Sequence, residues 1–390
     1  MSASSRYVVP LLVATSGACL LAAGCDEKKP SSEVATGSDG GAKLDKYATA
    51  DSKLTKALQA AEKATPATDE GPPPAGVFAP GVADRRHPAS TPGKVELLTE
   101  GDEPRLVLGA AADASAGSSL PRMYGPAVLE IAVQLGPRTA LPTIDMSLLL
   151  GAAKGDPGGP EWITASIKRA LPSPDQAGEI GPDGAREMAS LEGTQLLLKM
   201  TDDGRESDVR EVLGKGAREE LDRVAKNAAE ALVFATVPAP PKAVGVGAQW
   251  MAETRMTWSG LDVIAYRAFK VNSIDGNRVG LTVDVKGYAT SSDMDLPGVP
   301  PGSVLKQFDA RAQGDMEVVA GEPFARKLQI QERVLFVFTS TKPPEGELPP
   351  DQPPPGPEGT TLTGQVQAVA MFVRGDDLRE AARARGNAHK

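Results

Sequence analysis

Apolar and polar residues alternate along much of this chain, and the alternation is clearest in the segments 250–258 and 279–285. A period of two is the side-chain period of a β-strand that has one face on a core and the other towards water. Strands of this kind usually pair antiparallel, because parallel strands are commonly buried on both faces. The sequence therefore predicts a fold organised around an antiparallel sheet.

Short segments with this two-residue period recur from Gly93 onwards. They lie at 95–97, 106–108, 129–135, 144–150, 163–167, 194–201, 250–258, 279–285, 328–338 and 362–372. Turn signals follow or precede some of them: Asp202-Asp203-Gly204 closes one strand, and Asp275-Gly276-Asn277 marks a hairpin. About ten or more antiparallel strands are therefore expected.

The best helical pattern spans Ala217 to Phe234. Its apolar positions have the spacing of an amphipathic helix: Leu221, Val224, Ala225, Ala228, Ala231 and Leu232. Its polar face carries Glu219, Asp222, Arg223, Lys226 and Glu230. A short N-terminal helix is predicted over 51–64, and one helical turn over 185–191. The predicted fold class is α+β, with a large curved antiparallel β-sheet that is half-barrel-like, one long amphipathic helix and a short N-terminal helix.

Proline, glycine and polar residues divide the chain into regions. We predict a disordered tether at 25–48, a short helix and Pro-rich linker at 49–92, a β-rich globular domain at 93–375 and a polar tail at 376–390. Within the domain, 343–359 is predicted to be a protruding, mostly disordered hairpin tip. The pattern G-x-x-W opens a strand at Gly159 and again at Gly247, which suggests two related halves, 93–236 and 245–375; chance recurrence is the alternative.

The N-terminal segment has the features of an export signal. Arg6 is its first charged residue, and a mostly apolar run from Tyr7 to Ala23 follows. This run is shorter and more interrupted than a transmembrane helix, which needs ~20 apolar residues, and it fits a signal peptide. The small residues Ala22-Ala23-Gly24 lead directly into Cys25, an order that resembles the lipobox of bacterial lipoprotein precursors.

The lipobox resemblance implies that residues 1–24 form a lipoprotein signal peptide and that Cys25 is the lipidation site. Its thiol would receive diacylglycerol, and the new amine an acyl chain. Cys19 also follows small residues, but it lies inside the apolar run. The alternatives are an ordinary signal peptide or a weak membrane helix. Two or three acyl chains anchor a protein firmly, because each buried methylene contributes ~0.8 kcal/mol and one chain holds only weakly.

The expected location is therefore the bacterial cell envelope, with the lipid anchor in the outer membrane or in the periplasmic face of the inner membrane. Asp26 resembles the inner-membrane retention signal of enteric bacteria, but that rule does not carry across all lineages. The formal net charge of −9 argues against nucleic-acid binding, because an acidic chain repels phosphate. With Cys19 and Cys25 as the only cysteines, the exported body would have no disulfide.

Candidate chemistry is sparse, and we predict no catalytic residue, metal site or cofactor. The two histidines, His87 and His389, are too far apart for a histidine-based metal cluster. His87 stands beside acidic and basic residues, but in a Pro/Gly-rich linker, where a solvated histidine is expected.

Four further segments carry a candidate group. Gly245–Trp250 begins like a dinucleotide-binding motif, but it lacks the third glycine and leads into a strand, so we predict a turn with Trp250 in the core. Asp202-Asp203-Gly204 and Asp293-Met294-Asp295 offer oxygen ligands for calcium, but neither matches an EF-hand loop. Glu332 lies on the apolar face of a strand, where it is either a carboxylate in a cavity or, as we expect, a partly exposed rim residue.

The strand count, the helix and the lipidation signal resemble the LolA/LolB-like half-barrel lipoproteins, and also uncharacterised β-rich envelope lipoproteins. The first resemblance implies a concave face that holds acyl chains, but no motif matches residue by residue. We therefore expect a non-catalytic envelope lipoprotein that binds an apolar ligand or an envelope protein through its curved sheet. The alternatives are a structural or assembly protein that acts through its surface and, ranked last, an envelope hydrolase that uses carboxylates.

Overall fold

We describe the fold from a computed structural model of the chain. It describes residues 73, 75–109, 123–135, 139–153, 161–174, 176–201, 203–217, 221–294, 299, 302–339 and 361–378. Several predictions lie outside these residues and stay predictions: the signal peptide 1–24, the lipidation site Cys25, the tether 25–48, the helix 51–64, the tip 343–359 and most of the tail 376–390.

Thirteen strands and three helices are present in the described residues. The strands are β1 (Lys94–Thr99), β2 (Met123–Leu135), β3 (Thr139–Ala140), β4 (Ile144–Ala153), β5 (Glu161–Pro172), β6 (Gln195–Met200), β7 (Glu206–Val212), β8 (Gln249–Trp258), β9 (Leu261–Asp275), β10 (Arg278–Ala289), β11 (Val304–Val319), β12 (Lys327–Thr339) and β13 (Thr361–Arg374). The helices are α1 (Val82–Arg86), α2 (Ala177–Ala189) and α3 (Asp222–Phe234).

All the strands belong to one antiparallel sheet, which confirms the predicted β-rich, antiparallel fold. The strand order is β1-β8-β9-β10-β11-β12-β13-β2-β4-β5-β6-β7, and β3 pairs with β2. The two strand blocks of the sequence join where β13 pairs with β2, with Ala370 opposite Ile131. A relation between the two halves stays a prediction.

The two edges of this open sheet approach each other. Just before β1, the backbone N–H of Gly93 donates to the carbonyl oxygen of Glu206 in β7 at 3.0 Å. Position 93 requires glycine, because a Cβ there would lie 2.8 Å from the carbonyl oxygen of Glu253. The sheet therefore curves until β7 lies beside β1 and β8, and we call this junction the seam.

The inner face of the sheet and helix α3 form the main core. Large aliphatic and aromatic side chains from both strand blocks share it with the alanines of α3, which contacts β2, β6, β7 and β8. The helix begins at Asp222 rather than at Ala217, and its second half is buried on nearly all sides. The prediction that placed Glu230 on a polar face is wrong, because the curved sheet covers that face of the helix as well.

Three strands lack the alternation that identified the others. In β9, residues 263–269 are all buried, because Phe78 and α1 pack on the outer face of this strand while the core covers its inner face. In β7 a bulge brings Glu206 to the inner face, so that acids replace apolar residues there. In β11 a register shift between Leu305 and Gln307 breaks the period. Of the predicted strand 106–108, only Leu106 forms an isolated bridge.

Candidate functional site

Glu230 is an acidic residue inside the core, on the third turn of α3. The residue is 7% exposed. Its Oε2 accepts a hydrogen bond from the backbone N–H of Ser259 at 3.0 Å, in the turn between β8 and β9. Its Oε1 is buried and makes no hydrogen bond of normal geometry in the described part of the chain, although the nearby backbone of Gly260 favours the ionised carboxylate. An unsatisfied buried polar atom costs about 1–3 kcal/mol, so Glu230 calls for an explanation beyond packing.

Glu332 lies on the inner face of β12, two residues from the buried Ile330 and Val334. Its carboxylate accepts a hydrogen bond from the indole N–H of Trp258 at 2.9 Å. The residue as a whole is partly exposed, whereas its carboxyl group is enclosed by protein. Our expectation of a simple rim position was therefore incomplete, since this carboxylate is bonded to a fully buried tryptophan.

The two acids form one cluster, because adjacent residues of the chain bind them. Trp258 donates to Glu332 and Ser259 donates to Glu230. Trp258 is held in place by Phe234 of α3, with the two rings edge to face at 5.2 Å between centroids. We call Glu230, Glu332, Trp258 and Ser259 the acid pair site.

Burial makes both carboxyls weak acids. Burial, together with the charge of Glu332, raises the pKa of Glu230 to about 8. Burial raises the pKa of Glu332 to about 7, although the hydrogen bond from Trp258 favours its ionised form. Arg223, two turns earlier on α3, lowers the pKa of Glu230 by less than burial raises it. Near neutral pH the pair therefore holds protons that ordinary glutamates have lost.

Glu230 also lines a groove at the seam, which we call the seam groove. It lies between β7, β8 and α3, and its volume is about 170 Å³. Its lining residues are Val209, Glu211, Lys226, Ala229, Glu230, Val233, Met256 and Thr257. Glu211 and Lys226 form an ion pair at 3.9 Å, and burial raises the pKa of Glu211. The remaining walls are mostly apolar, so Glu230 is the groove's buried polar group.

A second groove lies on the outer face of the sheet and has a volume of about 220 Å³. Its lining is polar: Thr282, Gln313, Gly314, Asp315, Gln329 and Gln331. The hydroxyl of Thr282 already donates to Asp315 at 3.1 Å and accepts from Asn272 at 2.6 Å. This groove is a hydrogen-bonded strip of exposed sheet.

His87 is fully buried, so the prediction of a solvated linker histidine is wrong. Its Nδ1 lies 3.2 Å from the carboxylate of Glu253, and its Nε2 lies 3.3 Å from the carbonyl oxygen of Thr91. The reason is that residues 75–92 pack on the outer face of β9 and β10 rather than extending into solvent. His87 is a structural residue that joins this segment to β8.

The other candidate segments have structural contacts. Asp203 accepts from Thr201 and from Arg205, while Asp202 and Asp295 lie outside the described residues. The segment Gly245–Trp250 is a turn into β8, as predicted, and the buried indole of Trp250 donates to the carbonyl oxygen of Pro238 at 2.9 Å. Within the described ranges no cluster of three potential metal-binding side chains is found.

Glu230 is a site residue that the sequence pattern did not identify. One signal was present: alanines stand at 228, 229 and 231, on several sides of Glu230. Small residues spread around a helix indicate close packing on more than one side. An acid in such a helix is a candidate for burial, and the sequence does not show which strand would face it.

Comparison with known proteins does not identify a family for this chain. No protein-family model matches the chain, and no curated protein matches it. None of the helices in the described part has the length and apolarity that a bilayer crossing demands.

Proposed function

We propose that this protein is a lipoprotein of the bacterial cell envelope, anchored to the membrane through Cys25, whose β-rich body binds a ligand with an apolar part. The curved sheet would act as a half-barrel, and the amphipathic helix that contains α3 would line its inner side. The lipid anchor and the envelope location rest on the order of charge, apolar run, small residues and cysteine in 1–25.

One observation carries the binding proposal: the seam groove combines apolar surface with a buried carboxyl group. Val209, Val233 and Met256 supply the apolar surface, and Glu230 supplies the carboxyl group. Concave sites with apolar surface and a few placed polar groups are typical of ligand pockets, which have volumes of about 300–1,000 Å³. At about 170 Å³ the seam groove suits a small ligand.

A variant that fills the groove tests the binding proposal. Val209 lines the groove from β7, whereas Val212 on the same strand is exposed. The full chain is purified from a bacterial host in a mild detergent and examined by native mass spectrometry for small co-purifying molecules. We expect a bound molecule in the parent chain and in Val212→Phe, and its loss in Val209→Phe. If the parent chain shows the mass of the protein without a bound molecule, the alternative of a structural or assembly protein that acts through its surface is favoured.

The lipid anchor is tested separately by metabolic labelling with palmitate. The label should enter the parent protein and should be absent after Cys25→Ser. Label that persists in this variant would contradict the anchor without affecting the groove.

A second candidate function, an envelope hydrolase, is favoured by one observation, the raised pKa values of Glu230 and Glu332. A carboxyl group that keeps its proton near pH 7 can act as a general acid. Such an enzyme should turn over a member of a panel of chromogenic esters and glycosides with a bell-shaped pH profile. Glu230→Gln and Glu332→Gln should each lower that rate at least ~100-fold.

A further inference from the structure

Two other buried acids in the described residues have cationic partners. Glu206 lies 2.7 Å from Arg267, and Asp377 lies 3.4 Å from Arg278. This is the usual rule for proteins, in which buried charges are paired because an isolated one is strongly unfavourable. The fold thus places an arginine beside each of these two acids.

The acid pair site departs from this rule. Among the described residues, no lysine, arginine or histidine forms an ion pair with Glu230 or Glu332. Arg223 and Lys226 act on the charge of Glu230 without forming an ion pair with it. Lys226 instead pairs with Asp222 at 2.6 Å and with Glu211 at 3.9 Å. Glu230 and Glu332 therefore lack a directly paired counter-charge of the kind that Arg267 supplies to Glu206.

We infer that the acid pair site binds an organic ammonium group, so that the ligand of the seam groove is a small amphiphile with a protonated amine at one end. This inference rests on the proposed binding function and names its ligand class. The ammonium would supply the counter-charge that the chain leaves out.

The geometry suits such a ligand. An ammonium group offers three N–H donors and no acceptor. One donor would bind the carboxyl group of Glu230, which lines the groove, and the negative charge of Glu332, which acts on Glu230, would strengthen the attraction. The apolar stem would lie against Val209, Val233 and Met256. A calcium ion, by contrast, requires about six to eight oxygen ligands, which these walls do not provide.

The same geometry predicts a proton exchange on binding. The empty pair holds protons near neutral pH, and a positive charge between the carboxyls favours their ionised forms. The ammonium therefore displaces protons into solution. Affinity should rise with pH from about 6 to 8.5, where Glu230 and Glu332 lose their protons, and should fall only when the amine itself deprotonates. The neighbouring titratable groups are Glu211, whose pKa is raised by burial, Lys226, whose pKa is raised by its hydrogen bond to Asp222, and Arg223, whose pKa is lowered by burial.

Three probes of equal length test the ammonium inference: n-hexylamine, 1-hexanol and hexanoate. They are titrated calorimetrically at pH 7.5 into the full chain in lipid nanodiscs, with empty nanodiscs as the blank. Two buffers of different ionisation heat count the protons released. We expect n-hexylamine to bind at least ~10-fold more tightly than the other probes and to release protons. Hexanol binding should release none.

Matched variants locate the bound amine. Glu230→Gln and Glu332→Gln should each weaken n-hexylamine binding at least ~10-fold and reduce the proton release. Glu96→Gln removes an exposed carboxyl group of β1 outside the groove, and should change affinity by less than ~2-fold. Circular dichroism checks folding. If only one of Glu230→Gln and Glu332→Gln folds, that variant is sufficient for the comparison.

The other outcomes separate the inference from the proposed function. Equal binding of hexanol or hexanoate, abolished by Val209→Phe, would overturn the ammonium inference and keep the groove as a binding site. Unchanged binding of n-hexylamine to both Glu230→Gln and Glu332→Gln would overturn the inference as well. Failure of all three probes would count against the inference and the binding function together.

Discussion

Two acidic sites on the inner face of the sheet differ in one respect. Glu206 and Glu230 are both more than nine-tenths buried. Glu206 faces Arg267, whose Nη2 lies 2.8 and 2.7 Å from its two carboxylate oxygens. Glu230 instead feels the charge of a second acid, Glu332, and keeps one oxygen without a hydrogen bond. The comparison shows that one buried acid joins two strands through an arginine, whereas the other has no counter-charge paired with it.

The paired site is a structural joint. Arg267 is fully buried on β9, and its Nη1 donates to the carbonyl oxygen of Val233 at 2.8 Å and to the hydroxyl of Thr236 at 3.0 Å. One guanidinium thereby connects β9, the edge strand β7 and the end of α3. Burial raises the pKa of Glu206, and the charge of Arg267 opposes this effect.

The largest effect is therefore expected at the paired site. Arg267→Met leaves Glu206 buried without a counter-charge, and removing one partner of such a pair costs about 3–5 kcal/mol of unfolding free energy. Urea unfolding measures the loss. Arg311→Met, which removes an exposed arginine paired with Asp309, is the control and should cost less than ~1 kcal/mol. Equal losses of unfolding free energy in the two variants would show that the pair of Glu206 and Arg267 does not stabilise the fold.

An intermediate effect, of the opposite sign, is expected at the unpaired site. Between pH 4.5 and 8 folded Glu230 keeps a proton that the unfolded chain has released, so stability falls as pH rises through this window. Each unit of raised pKa is worth about 1.4 kcal/mol. Glu230→Gln should therefore stabilise the protein at pH 9 by a few kcal/mol and have little effect at pH 4.

Unfolding midpoints measured from pH 4 to pH 9 check the effect at Glu230. Glu96→Gln, at an exposed position of β1, is the matched control and should leave the pH profile unchanged. A variant at Glu230 that is less stable than its parent at pH 9 would mean that this carboxylate has a counter-charge after all.

The smallest effect concerns the hydrogen bond to Glu332. Trp258→Phe removes the indole donor, which costs about 1–3 kcal/mol and raises the pKa of Glu332 further, because that bond favours the ionised form. Carboxyl NMR titration and urea unfolding measure the two changes. Trp162→Phe, a partly exposed tryptophan beside Arg210, should leave the Glu332 titration unaltered. Identical titrations of Glu332 in both variants would show that Trp258 does not donate a hydrogen bond to this carboxylate.

The sequence revealed the sheet better than the site. Alternation identified β8 and β12, including the inward position of Glu332, because one face of each strand is apolar. It failed in β9, where α1 and Phe78 cover the outer face, since burial on both sides erases the period. The burial of Glu230 was missed for another reason. Helical spacing identifies the apolar side of a helix, but the curvature of the sheet determines how many sides of that helix are covered.

The titration of Glu230 tests the central claim most directly. In the full chain, carboxyl NMR should show this residue losing its proton with a midpoint of about 8, lower once Glu332→Gln removes the neighbouring charge and lower again when n-hexylamine is added. A midpoint near the ordinary value of 4.5, unchanged by either step, would show that Glu230 already has a partner and that the site is not built for a cation.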